Sequence, residues 1–368
     1  MDETVVASST IAWLAFALGV VFGAVGNKTN FCTLGAVSDA VNMGDWGRMR
    51  MWMLAIAVAI LGTSALQFAG LLDVSKSIYT GSRLIWLSNV LGGLAFGVGM
   101  TLASGCGSKT LIRIGGGNLK SLVVFVFLGL AAYMTMRGLF GVWRVQWLDS
   151  VAVELGSGQH LPALLAAGGM APERALLLAT AVVGGLLLAA ALARRDAWRA
   201  DVLLGGIVVG LVVIGGWYVT GHVGYVVEHP ETLEEAFVGT NSGRAESFTF
   251  VAPLAYTLEL LMLWSDTSRI VTFGIAGALG VVAGSALYAL LTRSFRVESF
   301  RDSGDLIRHL LGAVLMGFGG VTAFGCTIGQ GVSGFSTLSV GSILTTLSIV
   351  AGAALTMKVQ YWIMMREA

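Results

Sequence analysis

Cys32, Cys106 and Cys326 are the only cysteines in 368 residues, and all three stand in stretches rich in glycine and hydroxyls. Cys326 lies in residues 317–336, GFGGVTAFGCTIGQGVSGFS. Cys106 lies in residues 97–117, GVGMTLASGCGSKTLIRIGGG, which carry the same pattern displaced by 220 positions: Gly97 maps onto Gly317, Ala103 onto Ala323, Gly105 onto Gly325 and Cys106 onto Cys326. Three thiols without a CxxC spacing cannot form a fully paired disulfide framework and do not read as a zinc or thioredoxin-type site, so no metal is expected. A thiol is a weak S–H donor and a polarizable acceptor, which suits a soft, sulfur-bearing ligand better than a hard oxyanion. A single buried cysteine is usually a small hydrophobe. Their shared placement argues for a site.

The elements that must hold these residues are membrane spans. With 56% hydrophobic and 12% charged residues and a mean hydropathy of +0.82, the chain falls in the integral-membrane class. Apolar segments able to cross, or nearly cross, about 30 Å of hydrocarbon fall near residues 5–25, 51–72, 84–103, 121–136, 175–193, 202–221, 270–292, 310–324 and 338–357. The reading is nine spans, with the termini on opposite sides. The acidic start, MDETVVASST, is unlike a secretory signal, so the first span is expected to stay. With the N-terminus outside, 15 of the 22 basic residues fall on the cytoplasmic side, which selects N-outside, C-inside. A formal net charge of +1 and no large basic patch argue against nucleic acid.

Four connections, residues 26–47, 104–119, 243–266 and 325–337, are semi-apolar and rich in Gly, Ser and Thr, as expected of short helices that dip into the membrane and return. Irregular backbone at that depth is tolerated only beside protein or a watery cavity. Helix N-termini converging there expose N–H groups that favour an anion, and Gly105, Gly107, Gly325 and Gly329 are expected to allow close approach and positive φ. Gly97 and Gly317 read as packing positions. Thr110, Thr327, Gln330 and Ser333 are candidate polar lining, and Lys28, Lys109 and Arg113 could offer charge to an anion moving inward. No span carries Asp, Glu or His in its apolar interior; Asp39, Glu259 and Asp266 lie in dip regions and are the only carboxylates expected to contribute. A proton relay through the spans is therefore not expected. No nucleotide, haem or flavin signature is present, and no cofactor or catalytic residue is assigned.

The repeat extends to a second pair, Asn30-Phe31-Cys32-Thr33 with Ser247-Phe248-Thr249-Phe250. The expected organisation is a first repeat over residues 1–140, an outside connection and central span over 141–200, and a second repeat, inverted in the membrane, over 201–368. Such symmetry places a site at the midplane.

The stretches Asn30–Asp39 with Asn42-Met43-Gly44-Asp45-Trp46, Ser104-Gly105-Cys106-Gly107-Ser108 with Arg113 and Gly115–Leu119, and Gly325-Cys326-Thr327-Ile328-Gly329-Gln330-Gly331 resemble the YeeE/YedE family of bacterial inner-membrane proteins, in its thiosulfate-transporting branch. The resemblance spans nearly the whole chain. It implies an all-α, hourglass-like protein of nine transmembrane helices and four re-entrant segments, import of thiosulfate across the inner membrane, and a relay of S–H···S contacts at Cys32, Cys106 and Cys326. It also implies a cytoplasmic sulfur-carrier partner of the TusA type. Lys109 departs from the smaller residue common in relatives. Other members are linked to selenium or undefined sulfur compounds, and two further readings stand beside import: a membrane sulfurtransferase passing only the terminal sulfur through a persulfide, and a structural subunit whose cysteines fill space.

Overall fold

The computed structural model describes residues 3–229, 233–266 and 269–367. Fifteen α-helices follow one another: α1 (Glu3–Lys28), α2 (Thr33–Ser38), α3 (Gly47–Phe68), α4 (Trp86–Leu102), α5 (Gly107–Gly115), α6 (Leu119–Arg137), α7 (Leu139–Trp143), α8 (Leu161–Ala167), α9 (Pro172–Ala179), α10 (Gly185–Leu192), α11 (Ala200–Tyr218), α12 (Ala252–Met262), α13 (Phe273–Leu291), α14 (Ser303–Thr322) and α15 (Val340–Glu367). A π-helical turn, Thr180–Gly184, joins α9 and α10. Among the described residues the only strands are two short antiparallel pairs, Arg83–Leu84 with Val153–Glu154 and Tyr225–Val226 with Ala236–Phe237. The protein is an all-α integral membrane protein.

Eight stretches of helix among the described residues are long and apolar enough to cross a membrane. The ninth expected span, residues 310–324, falls within α14. That helix is 20 residues long, but its first two turns carry Asp305, Arg308 and His309, so its apolar part is short.

Helices pack where side chains are absent. α4 and α14 run side by side, and a Cβ at Gly99 would lie 2.7 Å from the Gly312 carbonyl while one at Gly319 would lie 2.6 Å from that of Gly92. Such close approach of backbones is the usual device of membrane helices, which lack a hydrophobic force between them. Gly97 and Gly317 serve as expected, seated against the backbones of α15 and α6 respectively. α1 packs on α13 and α11, and α3 on α11 and α10. Between them, Phe22, Phe31, Phe248 and Phe250 form one buried aromatic cluster, with Phe22 stacked on Phe248 at 6.4 Å and tilted against Phe250 at 5.4 Å. The chain segments before α2 and α12 are thereby fixed to the same core.

Because the α4–α14 crossing leaves no room for a side chain, Gly312→Leu should overpack it at a cost on the order of 1–3 kcal/mol. Fluorescence-detected size exclusion after heating should show an earlier loss of the monodisperse peak for Gly312→Leu, and no change for Gly185→Ala, whose Cβ would meet nothing within 4 Å.

Candidate functional site

Each thiol sits just after a break in a helix, and each break is made the same way. α1 ends at Lys28, α4 at Leu102 and α14 at Thr322; beyond them Asn30 (φ 52°), Ser104 (φ 56°) and Phe324 (φ 58°) turn left-handed, in every case two residues before the cysteine. The expectation of positive φ at Gly105, Gly107 and Gly329 is corrected: of the four site glycines only Gly325 has it, at 158°. The left-handed turn falls one residue earlier, on residues with side chains. Gly329 instead makes room, since a Cβ there would collide with Thr249.

After each break the chain restarts as a short helix or turn. Cys32 caps α2, its Sγ accepting from the Gly35 amide at 3.4 Å. Cys106 occupies the cap position of α5 with its Sγ 3.2 Å from the Ser108 hydroxyl. Cys326 Sγ accepts from the Gly329 amide at 3.4 Å, at the start of a π-helical turn, Gly329–Gly334. All three are free thiols. The fold brings them into one neighbourhood: Cys32 lies beside Cys106, and Thr327, the neighbour of Cys326 in sequence, lies against Cys106 from the other side. Cys106 and Cys326 are fully buried, whereas Cys32 is partly exposed.

Two of the expected lining residues have buried polar atoms that the fold leaves largely unfulfilled. Gln330 Oε1 is buried with no hydrogen-bond partner among the described residues, a state that costs about 1–3 kcal/mol unless something fills it, and the Thr327 hydroxyl, also buried, has only the Cys106 thiol beside it. Gln330 is oriented by its own amide, whose Nε2 donates to the Ala323 carbonyl at 2.5 Å. Thr110 and Ser333 do not serve as lining. Their hydroxyls donate to the carbonyls of Cys106 (3.0 Å) and Phe248 (2.7 Å), so they hold backbone.

Cys32 opens onto a vestibule of about 1300 Å³. Arg48, Lys109, Arg113, Arg296, Arg301 and Lys358 line it against Glu298 and the Lys120–Asp305 pair (2.7 Å), so the chamber is strongly positive. Lys109 points into it, its Nζ 3.4 Å from Asn30 Oδ1, and Arg113 donates to the Ser104 carbonyl at 2.7 Å, closing the break before Cys106. Lys28 is not among the lining residues. Arg48 is bound by Asp39 and lies across Gly35, where any side chain would collide with its guanidinium. On the opposite face, cavities of about 340 and 220 Å³ share Ile78 and Phe324; Gln330 lines the first, Thr249 and Gly325 the second. Asp39, Glu259 and Asp266 are each ion-paired, to Arg48 or to Arg269.

The family model described as "Sulphur transport" matches residues 28–355. The chain belongs to the sulphur transport family. It is similar to the thiosulfate transporter TsuA of Escherichia coli strain K12, 28% identical over 85% of this chain and 84% of that one, and to the thiosulfate transporter TsuA of Spirochaeta thermophila, 25% identical over 92% and 96%. A sulphur transport protein is a transporter, and the three breaks and thiols fall inside the matched region, with all of the chamber's named cations except Lys358.

Sequence reasoning missed the Arg48–Asp39 pair, nine residues apart across the π-helical turn Asp39–Met43, and the two small cavities. The single signal for the pair was a carboxylate in a dip followed by a basic residue. Since Cys32 alone of the three faces the vestibule, an impermeant maleimide offered from that side should label one thiol per chain. Cys32→Ser should abolish the label, and mass spectrometry finding it on Cys326 would contradict this geometry.

Proposed function

We propose that the protein imports thiosulfate, or a closely related small sulfur anion, across the bacterial inner membrane, passing it from Cys326 to Cys106 to Cys32 and out through the basic vestibule. The observation that carries the reading is the row of three thiols at helix breaks between two small cavities and one large positive chamber. The ligand's terminal sulfur is soft and takes S–H···S contacts in succession, while its oxygens meet the Thr327 hydroxyl, an O–H donor buried beside Cys106. The vestibule is then cytoplasmic, with the N-terminus outside and the C-terminus inside, in keeping with the excess of basic residues on that face.

The two halves act as inverted repeats over residues 1–140 and 201–368, with the span over 141–200 between them. The equivalence of Ser104 with Phe324 in backbone conformation, and of Cys106 with Cys326 two residues on, supports this. Moving a dianion inward costs ~2.3 kcal/mol per charge per 100 mV. A cytoplasmic sulfur-carrier protein of the TusA type, consuming the ligand at the vestibule, would pull the flux forward, and Lys109 and Arg113 hold the anion where that partner meets it.

The test is uptake into proteoliposomes of thiosulfate carrying different isotopes on its two sulfurs. Both labels should enter together, and Cys106→Ala or Cys326→Ala should cut the rate about ten-fold, the equivalent of one lost contact of ~1.4 kcal/mol, at unchanged protein abundance. Entry of the terminal sulfur alone, with sulfite left outside, would replace import by sulfurtransfer. Undiminished uptake by both variants would reduce the thiols to packing.

A further inference from the structure

Glu246 is the buried carboxylate for which neither the fold nor the proposed pathway has a use. It stands ahead of α12, its backbone N–H donating to the Thr220 hydroxyl at 3.2 Å while that hydroxyl donates back to its carbonyl. The residue is 8% exposed and lines the 220 Å³ cavity together with Thr249, Gly325, Tyr256 and Arg144. Its Oε2 accepts from the Ser242 hydroxyl at 2.6 Å. Among the described residues no cation lies within ion-pairing distance of it. Arg144, the one cation lining this cavity, is 3.2 Å from Asp149.

The remaining titratable and charged groups that face Glu246 do not neutralise it. Tyr256 of α12 and Tyr79 of the connection before α4 face it, and Glu259 of α12 with Tyr133 and Arg137 of α6 stand around Tyr256. Glu259 is already bound by Arg269 (3.1 Å) and by the Tyr133 hydroxyl (3.2 Å). Asp39, Glu259 and Asp266 all have cations; Glu246 has a serine. An ionised carboxylate so placed would confront a dianion across a cavity only wide enough for a small molecule, and like charges at that range in a poorly hydrated site repel strongly. A neutral carboxyl group does the reverse, because it gains an O–H donor.

Building on the reading of the protein as a sulfur-anion importer, we propose that this cavity captures a divalent sulfur oxyanion together with one proton held on Glu246. The Asn241 backbone N–H also lies against the carboxylate; the proton comes from water on that face and binds the carboxylate oxygen that Ser242 does not engage, and the O–H then donates to an oxygen of the anion. When the anion moves on past Gly325 to Cys326, the carboxyl group releases the proton to the same face. No bond of the anion is broken. The proton linkage makes apparent affinity fall as pH rises through the titration of Glu246, approaching ten-fold per pH unit above it.

Isothermal titration of the purified protein with thiosulfate, in two buffers of different ionisation heat, reads the proton directly. On the alkaline side of the profile the wild type should take up close to one proton per anion bound, and Glu246→Gln, whose amide donates at every pH, should take up none and bind with pH-independent affinity. Ser242→Ala removes a donor that favours the ionised carboxylate, so its affinity profile should shift toward higher pH; this variant decides the matter where Glu246→Gln fails to fold. Proton uptake unchanged in Glu246→Gln, or a profile unmoved in Ser242→Ala, overturns the proposal. Binding of thiosulfate without proton uptake overturns this inference alone, whereas no binding of thiosulfate at any pH overturns the import reading as well.

Discussion

Backbone that leaves the helical path inside a hydrocarbon layer must find partners within the protein, since each unsatisfied amide or carbonyl there costs several kcal/mol. Three breaks, at Asn30, Ser104 and Phe324, create that debt here, and polar side chains answer it. Arg113 donates to the Ser104 carbonyl and Gln330 to that of Ala323, while Ser333 donates to the carbonyl of Phe248 in the irregular segment before α12. The same bonds fix the orientation of the groups left over. Gln330 Oε1 is free because Nε2 is held, and Arg113 stands beside the vestibule because it closes a break. Site and scaffold are thus one hydrogen-bond network.

The two faces are built unequally on related backbones. Where the chain has Ser104 it has Phe324 in the other half, both left-handed; where it has Lys109 it has Gly329, pressed against Thr249. One face is consequently wide and strongly positive, the other divided by Ile78 and Phe324 into two small, weakly charged cavities. Cys106 and Cys326 touch neither solvent. A ligand can reach them only if side chains around the breaks rearrange, and the aromatic ring of Phe324, partly exposed between the two small cavities, is in the way on that side.

Much of this was legible in the sequence because membrane spans are written in composition, and because a thiol in a glycine-rich break is a rare combination. Eight spans and the short helices at residues 33–38, 107–115 and 252–262 fall where apolar runs and Gly, Ser and Thr clusters put them. The residue of each break was not legible. Glycine is the natural carrier of positive φ, yet Asn30, Ser104 and Phe324 take it, each within a helix-end turn in which the next amide (Phe31, Gly105, Gly325) donates back to the carbonyl of Gly26, Met100 or Gly320. Glu246 escaped for a related reason: it lies at the start of the dip expected over residues 243–266, just ahead of the Ser247–Phe250 pattern, and its burial comes from the turn after α11 and from α12 packing around it. The span expected over residues 310–324 is preceded in α14 by charged first turns that read as connection and that belong to the vestibule wall through Asp305 and His309.

The placement of charge follows a rule that any passage for an anion must meet, which is to attract without trapping. A Lys or Arg at the dry constriction would hold a dianion through a low local dielectric, where an opposite charge at contact distance is worth several times its value in water. Conduction needs sites weak enough to leave. On the proposed pathway thiols and a threonine hydroxyl, groups whose contacts are individually small, line the narrow part, and Lys109, Arg113, Arg296 and Arg301 lie in the vestibule, where water and salt screen them. Arg48 fits the same rule, since Asp39 holds its charge back from the Cys32 side of the chamber. Glu246, buried and cation-free on the opposite face, is the one group that breaks the rule when ionised and obeys it when protonated.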